Sequence, residues 1–295
     1  MTPFFIALQF LTRLKIVNQT EWSVEDFGKS VVAFPYVGLI IGLILALLYG
    51  ILSPFIPLVP LMLIIVVAEF LITGGLHADG LMDTSDGLFS GRERERKLEI
   101  MKDSRIGSFG VVAFVFVTLL KWQLLTAIPT AEFIPMALIM MPLMSRWSLV
   151  LSIRSYPYVR KEGMGAAFAN LAPKHVITYN TISTFFMPIV ILIIGAILYT
   201  LLYSAYSIFS VADVGYVVGL GVLTYATLGI FQINIVSMII TYIINRILNH
   251  YIVKQLGGTT GDTYGFVVEV TEVLLLLIYI IILSVLSASV ASNTT

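Results

Sequence analysis

The sequence contains no cysteine and few charged residues. Without Cys, a disulfide framework, a thiolate nucleophile and a cysteine metal site are all excluded. Charged residues make up only 12% of the 295 residues, against roughly 25% in soluble domains. Hydrophobic residues reach 58% and the mean hydropathy is +0.98. Seventeen basic and seventeen acidic residues balance, which disfavours a nucleic-acid partner and leaves the lipid bilayer as the main surroundings.

Seven apolar runs are long enough to cross a bilayer, which takes about 20 residues. They cover residues 33–53, 54–73, 107–128, 133–152, 182–203, 215–244 and 266–290. We therefore predict an all-α polytopic bundle of about seven transmembrane spans, forming a single integral membrane domain over residues 1–295. Apolar residues at helical spacing predict an amphipathic surface segment within residues 1–32. The start of the chain lacks the pattern of a cleaved signal peptide, so we expect the whole chain to be retained.

The basic residues are confined almost entirely to alternate connections. Fifteen of the seventeen lie in segments 1–32, 74–106, 153–181 and 245–265, which share one face if the spans alternate. The positive-inside rule places this face and the amino terminus in the cytoplasm. We expect a multi-pass protein of the cell (inner, or cytoplasmic) membrane, with its active loops facing the cytoplasm.

Two basic residues lie within the apolar runs. Lys121 has no obvious partner, and we expect it to snorkel outward. Arg146 is predicted to face inward and meet the acidic loop or a phosphate, because a buried arginine needs a partner. Snorkelling to the interface is the alternative for Arg146.

The segment 74–106 reads as a catalytic loop with an acidic first half. Asp79, Asp83 and Asp86 stand at i, i+4 and i+7, so on a helix they share a narrow sector where their charges repel. A Mg²⁺ ion removes that repulsion, and we predict that the three aspartates are its ligands. Glu69 is a candidate further ligand or base, and His77 is placed to bond a phosphate or orient a ligand. A solvated acidic loop is the alternative, although interleaved leucines favour burial.

Two further segments have the chemistry of a phosphate site. Lys102, Asp103 and Arg105 precede the third span, where free N–H groups and the positive end of the helix dipole attract anions. Gly257, Gly258 and Asp262 belong to a glycine-rich run whose backbone can approach a ligand closely, although a plain turn is the alternative. Acidic and basic segments together predict a phosphorylated substrate, and a diphosphate in particular.

Several motifs in the same order resemble the cobalamin synthase family. They are GGLHADGLMDTSDGL at 74–88, KDSRIG at 102–107, LQFLTR at 8–13, FPYVG at 34–38, MSRW at 144–147 and GGTTGD at 257–262.

This resemblance implies an integral membrane, Mg²⁺-dependent transferase. Such an enzyme joins adenosylcobinamide-GDP to α-ribazole, or its 5′-phosphate, and releases GMP with adenosylcobalamin or its 5′-phosphate. The three aspartates, Glu69 and His77 become the expected catalytic residues, while Lys102, Arg105 and Arg146 neutralise charge on the leaving GMP. Whether other cobalamin-assembly enzymes or a second copy of the chain bind is left open.

Two other function classes are compatible with parts of the pattern. A CDP-alcohol phosphotransferase also uses aspartates at helical spacing, but its characteristic run of two aspartates, a glycine and an alanine-arginine pair is not reproduced here. An ion-coupled transporter could use Glu69, Arg146, Glu269 and Glu272 along a pathway. It would not need a basic helix start beside three aspartates, and it should keep its function when the acidic loop is neutralised.

Overall fold

The computed structural model describes residues 2–17, 22–207 and 215–292, and these residues are predominantly helical. The long helices are α3 (Phe34–Leu52), α4 (Leu58–Thr73), α7 (Ser108–Thr126), α8 (Ile134–Ser155), α10 (Val176–Ser207), α11 (Gly215–Leu256) and α12 (Gly261–Ser292). The short helices are α1 (Pro3–Leu11), α2 (Val24–Lys29), α5 (Leu76–Phe89), α6 (Arg94–Ile100) and α9 (Met164–Leu171). The predicted all-α class is confirmed.

The long helices correspond to the seven predicted spans, with differences at their ends. Within the described residues, six helical segments are long and apolar enough to cross a membrane alone, and α4 reaches that length only together with α5. Helix α4 begins after Pro57 rather than at residue 54, because Pro54 and Pro57 interrupt helical hydrogen bonding. Helix α11 continues to Leu256 and α12 begins at Gly261, so most of the predicted loop 245–265 is helical.

The segment 74–106, treated as a loop in the sequence analysis, contains two helices. Helix α5 leaves α4 at an angle of 91° and packs against α7 and α12. The bend is made by Gly74 and Gly75, whose φ angles of 64° and 72° lie in the left-handed region that favours glycine. Helix α5 buries the leucines that lie between the polar residues of this segment, and Leu81 and Leu88 are in the core.

Helix α8 is the centre of the bundle. It is buried along nearly its whole length, and α3, α10, α11 and α12 pack around it. Large apolar side chains on the outer helices are exposed instead, for example Val112, Phe116 and Leu120 on α7. Exposed apolar faces on long helices are what a bilayer requires.

Helix α1 packs against this bundle through its apolar face. Ile6, Leu8 and Leu11 are almost completely buried, and Leu8 and Leu11 join the core cluster that contains Phe34. The apolar face that the sequence analysis assigns to the membrane surface is therefore covered by protein, because the start of α3 offers it an apolar partner.

Candidate active site

A cavity of about 270 Å³ opens at the end of the bundle where α5 crosses it. Residues from α1, α3, α5, α8, α9, the start of α12 and the segment 156–163 line it. The lining includes the polar residues His77, Asp79, Arg160 and Asp262 together with apolar residues such as Met164. The cavity therefore brings together residues from nearly the whole chain, from Phe10 to Gly265.

Close packing of α5 on α12 puts two predicted site residues into this cavity. A Cβ atom on Gly80 would lie 2.5 Å from the carbonyl oxygen of Asp262, and one on Gly265 would lie 2.7 Å from that of His77. Because neither glycine carries a side chain, the two backbones can meet. Asp79 and Asp262 then line the same cavity.

The ionisable residues that line the cavity carry more negative than positive charge. Asp79 is exposed, whereas Asp83, one helical turn further along α5, is half-buried and does not line the cavity. The carboxylates of Asp79 and Asp262 lie close enough to Asp83 to repel its negative charge. Arg160 compensates part of this charge, since its guanidinium lies 2.6 Å from the Asp262 carboxylate. The excess of carboxylates suits a hard divalent cation that takes one or two of them as ligands.

Asp86 has a different environment from Asp79 and Asp83. Its two carboxylate oxygens accept the backbone N–H groups of Gly107, at 2.7 Å, and Gly110, at 2.9 Å. The buried carboxylate therefore caps the start of α7, with a favourable charge at the positive end of the helix. The three aspartates do not converge on one point, and within the described residues no group of three or more His, Asp or Glu side chains could hold a metal ion.

The predicted anion site at the start of the third span is filled by the protein itself. The N–H groups expected to meet a phosphate donate to Asp86 instead. Lys102 and Arg105 are exposed, and Arg105 pairs with Asp103 at 2.8 Å. The hydrogen bonds from Arg105 lower the pKa of Asp103 to about 2. These three residues do not line the cavity.

Gly257 and Gly258 form the turn between α11 and α12 beside the cavity. A Cβ atom on Gly257, whose φ is 77°, would lie 2.4 Å from the Arg94 guanidinium carbon. Thr259, which follows Gly258, donates its backbone N–H to the carbonyl oxygen of Pro157 at 2.8 Å. Its own carbonyl oxygen accepts the backbone N–H of Val159 at 2.9 Å. The glycine-rich turn thus holds the segment 156–163 in place, and its later residues Gly261 and Asp262 line the cavity.

A buried ionic network lies deeper in the bundle. Its members are Glu69, Lys121, Arg146, Glu269 and Glu272. Lys121 contacts Glu69 at 3.2 Å and Glu269 at 3.0 Å, and it also bonds Glu272. The prediction that Lys121 snorkels outward is therefore wrong, because three carboxylates on α4 and α12 pair with it inside the protein.

Arg146 faces inward, as predicted, but its partner differs from the predicted ones. The side chain is 1% exposed, bonds Glu272 and lies 3.8 Å from Glu69. Its partners thus belong to the network rather than to the acidic segment. Glu69 is likewise engaged in the network, and it does not line the cavity that contains His77 and Asp79.

Three cavity residues were not singled out by the sequence: Tyr158, Arg160 and Glu162. In the sequence, Arg160 is only one of the fifteen basic residues in the connections between the spans. Arg160 reaches the cavity because the backbone of Tyr158 pairs with that of Thr259, and these two segments are about 100 residues apart in the sequence. No local pattern reveals such a pairing.

Comparisons with other proteins agree along nearly the whole chain. A family model described as cobalamin-5-phosphate synthase matches residues 3–280. A protein of Fusobacterium nucleatum is 35% identical over 294 residues, covering 96% of this chain and 98% of the relative. A protein of Desulforamulus reducens is 37% identical over 268 residues, covering 90% and 91%. Both relatives are named adenosylcobinamide-GDP ribazoletransferase. No solved structure matches the chain.

Proposed function

Because the chain belongs to the cobalamin-5-phosphate synthase family, we propose that it is an adenosylcobinamide-GDP ribazoletransferase. In this reaction a ribose hydroxyl of α-ribazole, or of its 5′-phosphate, attacks the phosphorus that carries cobinamide. The new O–P bond forms as the P–O bond to GMP breaks, and the hydroxyl proton passes to a base. The products are GMP and adenosylcobalamin, or its 5′-phosphate.

The cavity at the end of the bundle is the proposed reaction site. The observation that carries this assignment is the convergence of Asp79, His77 and the Arg160–Asp262 pair on one cavity. Phosphoryl transfer depends mainly on positioning and on stabilising negative charge, and this set supplies metal-binding, proton-accepting and cationic groups together.

Asp79 and Asp83 are the proposed Mg²⁺ ligands. They lie one helical turn apart on α5, and their mutual repulsion is lowered when a cation is shared between them. When bound, Mg²⁺ supplies positive charge to the diphosphate oxygens. Asp86 is assigned to the positioning of α7, because both of its oxygens already accept backbone protons.

His77 and Arg160 take the remaining roles. His77 is 3% exposed, and its Nε2 atom has no hydrogen-bond partner in the described part of the chain. We assign it to positioning the attacking ribose rather than to proton transfer, because a buried imidazole disfavours the charge that it would gain. Glu69 contacts Lys121 and Arg146 instead of the cavity. Asp262 orients the guanidinium of Arg160, and we assign to Arg160 the binding of the diphosphate. The sequence analysis predicts this role for Lys102 and Arg105.

The cavity end of the bundle is proposed to face the cytoplasm. Fifteen of the seventeen basic residues lie in the connections assigned to this face, and basic connections are retained on the cytoplasmic side. The amino terminus then lies in the cytoplasm of a cell whose inner membrane holds the bundle. Both nucleotide substrates reach the cavity from that side.

The proposed activity is tested with purified protein in nanodiscs. Adenosylcobinamide-GDP and α-ribazole are supplied together or singly, with Mg²⁺ or with EDTA, and GMP and cobalamin are quantified. We expect both products only when both substrates and Mg²⁺ are present. Folded protein that forms neither product would exclude the activity, and equal rates in EDTA would exclude the metal role.

A further inference from the structure

The reaction cavity supplies little positive charge to a leaving nucleotide. Its charged lining residues are three acids and one base: Asp79, Glu162, Asp262 and Arg160. The base is already paired, since Arg160 lies 2.6 Å from Asp262. When the P–O bond to GMP breaks, the leaving phosphate gains negative charge, which a nearby cation stabilises. We propose that a second cavity, beside the first, binds this leaving nucleotide through Arg13 and Lys15.

The second cavity has a volume of about 570 Å³. Residues of α1, the segment 12–17, Trp22, α2 and the first residue of α9 line it. Phe10 and Met164 line both cavities, so the two adjoin. The volume lies within the range of about 300–1,000 Å³ that is typical of small-molecule sites. A nucleotide in the second cavity can therefore stay joined to a phosphate in the first. The inference rests on the proposed function for the identity of this nucleotide.

The two cavities carry opposite charge. Arg13 and Lys15 line the second cavity, and no acidic residue belongs to its lining. Both side chains are exposed, and neither takes part in the ion pairs that the described residues form. An arginine that is free of carboxylates can donate two parallel hydrogen bonds to a phosphate. The charge distribution therefore favours a divalent cation in the first cavity and a phosphate in the second.

Arg13 is held against the bend between α4 and α5. Its backbone N–H donates to the carbonyl oxygen of Ile72 at 2.7 Å. Its side chain lies across Gly74, where a Cβ atom would collide with the Nε atom of the arginine. Helix α5 starts from this bend, and its first turn carries Asp79, which lines the reaction cavity. The cation is therefore fixed beside the start of the helix that carries the proposed metal ligand.

The second cavity also offers an aromatic side chain to a nucleobase. Trp22 lines it and is partly exposed. The indole takes part in none of the ring contacts that the described residues form. Stacking on an aromatic side chain is favourable for any base, because every base has a π-face. A nucleotide, with a base and a phosphate, thus suits the lining better than inorganic phosphate does.

Equilibrium binding of GMP tests the proposal without requiring turnover. GMP is titrated into protein in phosphatidylcholine nanodiscs, with guanosine as the probe that lacks the phosphate, and calorimetry measures the Kd. We expect Arg13→Gln to raise the Kd for GMP by about tenfold or more, because charge-assisted hydrogen bonds to the phosphate are lost. Guanosine should bind more weakly than GMP and equally to both proteins.

Arg92→Gln is the matched control for the loss of one positive charge. Arg92 is also an exposed arginine on a connection, but it lines neither cavity. This variant should leave the Kd for GMP unchanged.

Because Arg13 packs on the bend, its replacement could disturb the fold, and Lys15→Ala provides a second test. Lys15 is exposed and lines the same cavity. We expect this variant to raise the Kd for GMP by about threefold or more, since one of two cations is lost. In turnover assays either folded variant should raise the KM for adenosylcobinamide-GDP and leave that for α-ribazole unchanged.

A phospholipid headgroup carries the same phosphate chemistry, and a short-chain phosphatidylglycerol is titrated in place of GMP to separate the two ligands. We expect it to bind wild type and Arg13→Gln equally. Binding of this lipid that depends on Arg13, without binding of GMP, would overturn the proposal. So would equal binding of GMP to wild type and Arg13→Gln, or a rise only in the KM for α-ribazole. Failure of the proposed activity looks different, because GMP would still bind at Arg13 while no cobalamin is formed.

Discussion

The buried ionic network gives the sharpest test of the fold, through removal of its lysine. Two cations, Lys121 and Arg146, face three carboxylates in this network. The substitution Lys121→Met keeps a long apolar side chain but leaves one cation for three carboxylates. The Lys121 side chain is 5% exposed, so water cannot replace it without rearrangement. Removal of one partner from a buried ion pair costs about 3–5 kcal/mol.

That cost corresponds to a loss of roughly 100- to 5,000-fold in the folding equilibrium constant. Unfolding in mixed micelles, titrated with a denaturing detergent and followed by tryptophan fluorescence, measures it. Lys29→Met is the matched control, because Lys29 pairs with Glu25 at 2.7 Å but is exposed, and it should leave the transition unchanged.

A second substitution separates the loss of charge balance from the loss of side-chain packing. The double variant Lys121→Met/Glu269→Gln removes one carboxylate together with the lysine. We expect it to recover about 1–3 kcal/mol relative to the sum of the single variants, since the two residues are in contact. A Lys121→Met protein as stable as the wild type, or a double variant with no recovery, would refute the network's role.

Three further predictions concern the site and its surroundings. Asp79→Asn should abolish turnover, whereas Asp86→Ala should keep measurable activity and lose about 1–2 kcal/mol of stability, since its carboxylate caps α7; equal rates for the two variants would contradict the separate roles. Gly80→Val should separate α5 from α12, because its Cβ would lie 2.5 Å from the carbonyl oxygen of Asp262, and lower both stability and activity; a fully active variant would exclude this contact. The pKa of Asp103 is lowered to about 2, so its pairing with Arg105 is complete above the ordinary pKa of 3.8 and is lost as pH falls through about 2. Carboxyl NMR should show this midpoint, and Arg105→Gln should return it towards the ordinary value; an unchanged midpoint would contradict the pairing.

Much of the helical architecture was predictable, because apolar runs of span length have few alternatives in a bilayer. The local errors have local causes: Pro54 and Pro57 delay α4, and α11 continues beyond its most apolar part. The partners of Lys121 were not predictable, because Glu69, Glu269 and Glu272 are 52, 148 and 151 residues away. Nothing in the sequence around Lys121 distinguishes an ion pair from snorkelling.

The acidic segment shows how a correct periodicity can mislead. Helical spacing does align Asp79, Asp83 and Asp86, but seven residues of helix also separate the first and last by about 10 Å along the axis. Asp79 therefore meets the cavity, while Asp86 meets the start of α7. Tertiary packing decides which carboxylate lies at a helix start and which lies at a cavity. The spacing in the sequence does not distinguish the three aspartates.

Asp79 is proposed to support transfer of ribazole to the activated corrinoid. This role is tested by the ratio of GMP to cobalamin formed by wild-type and Asp79→Asn protein, measured in the same nanodisc preparation with both substrates and Mg²⁺. We predict one GMP for each cobalamin with the wild type and neither product with the variant, although both proteins are folded and membrane-inserted. Full activity of the variant would contradict the assignment of the site, and GMP release without cobalamin would contradict the transfer.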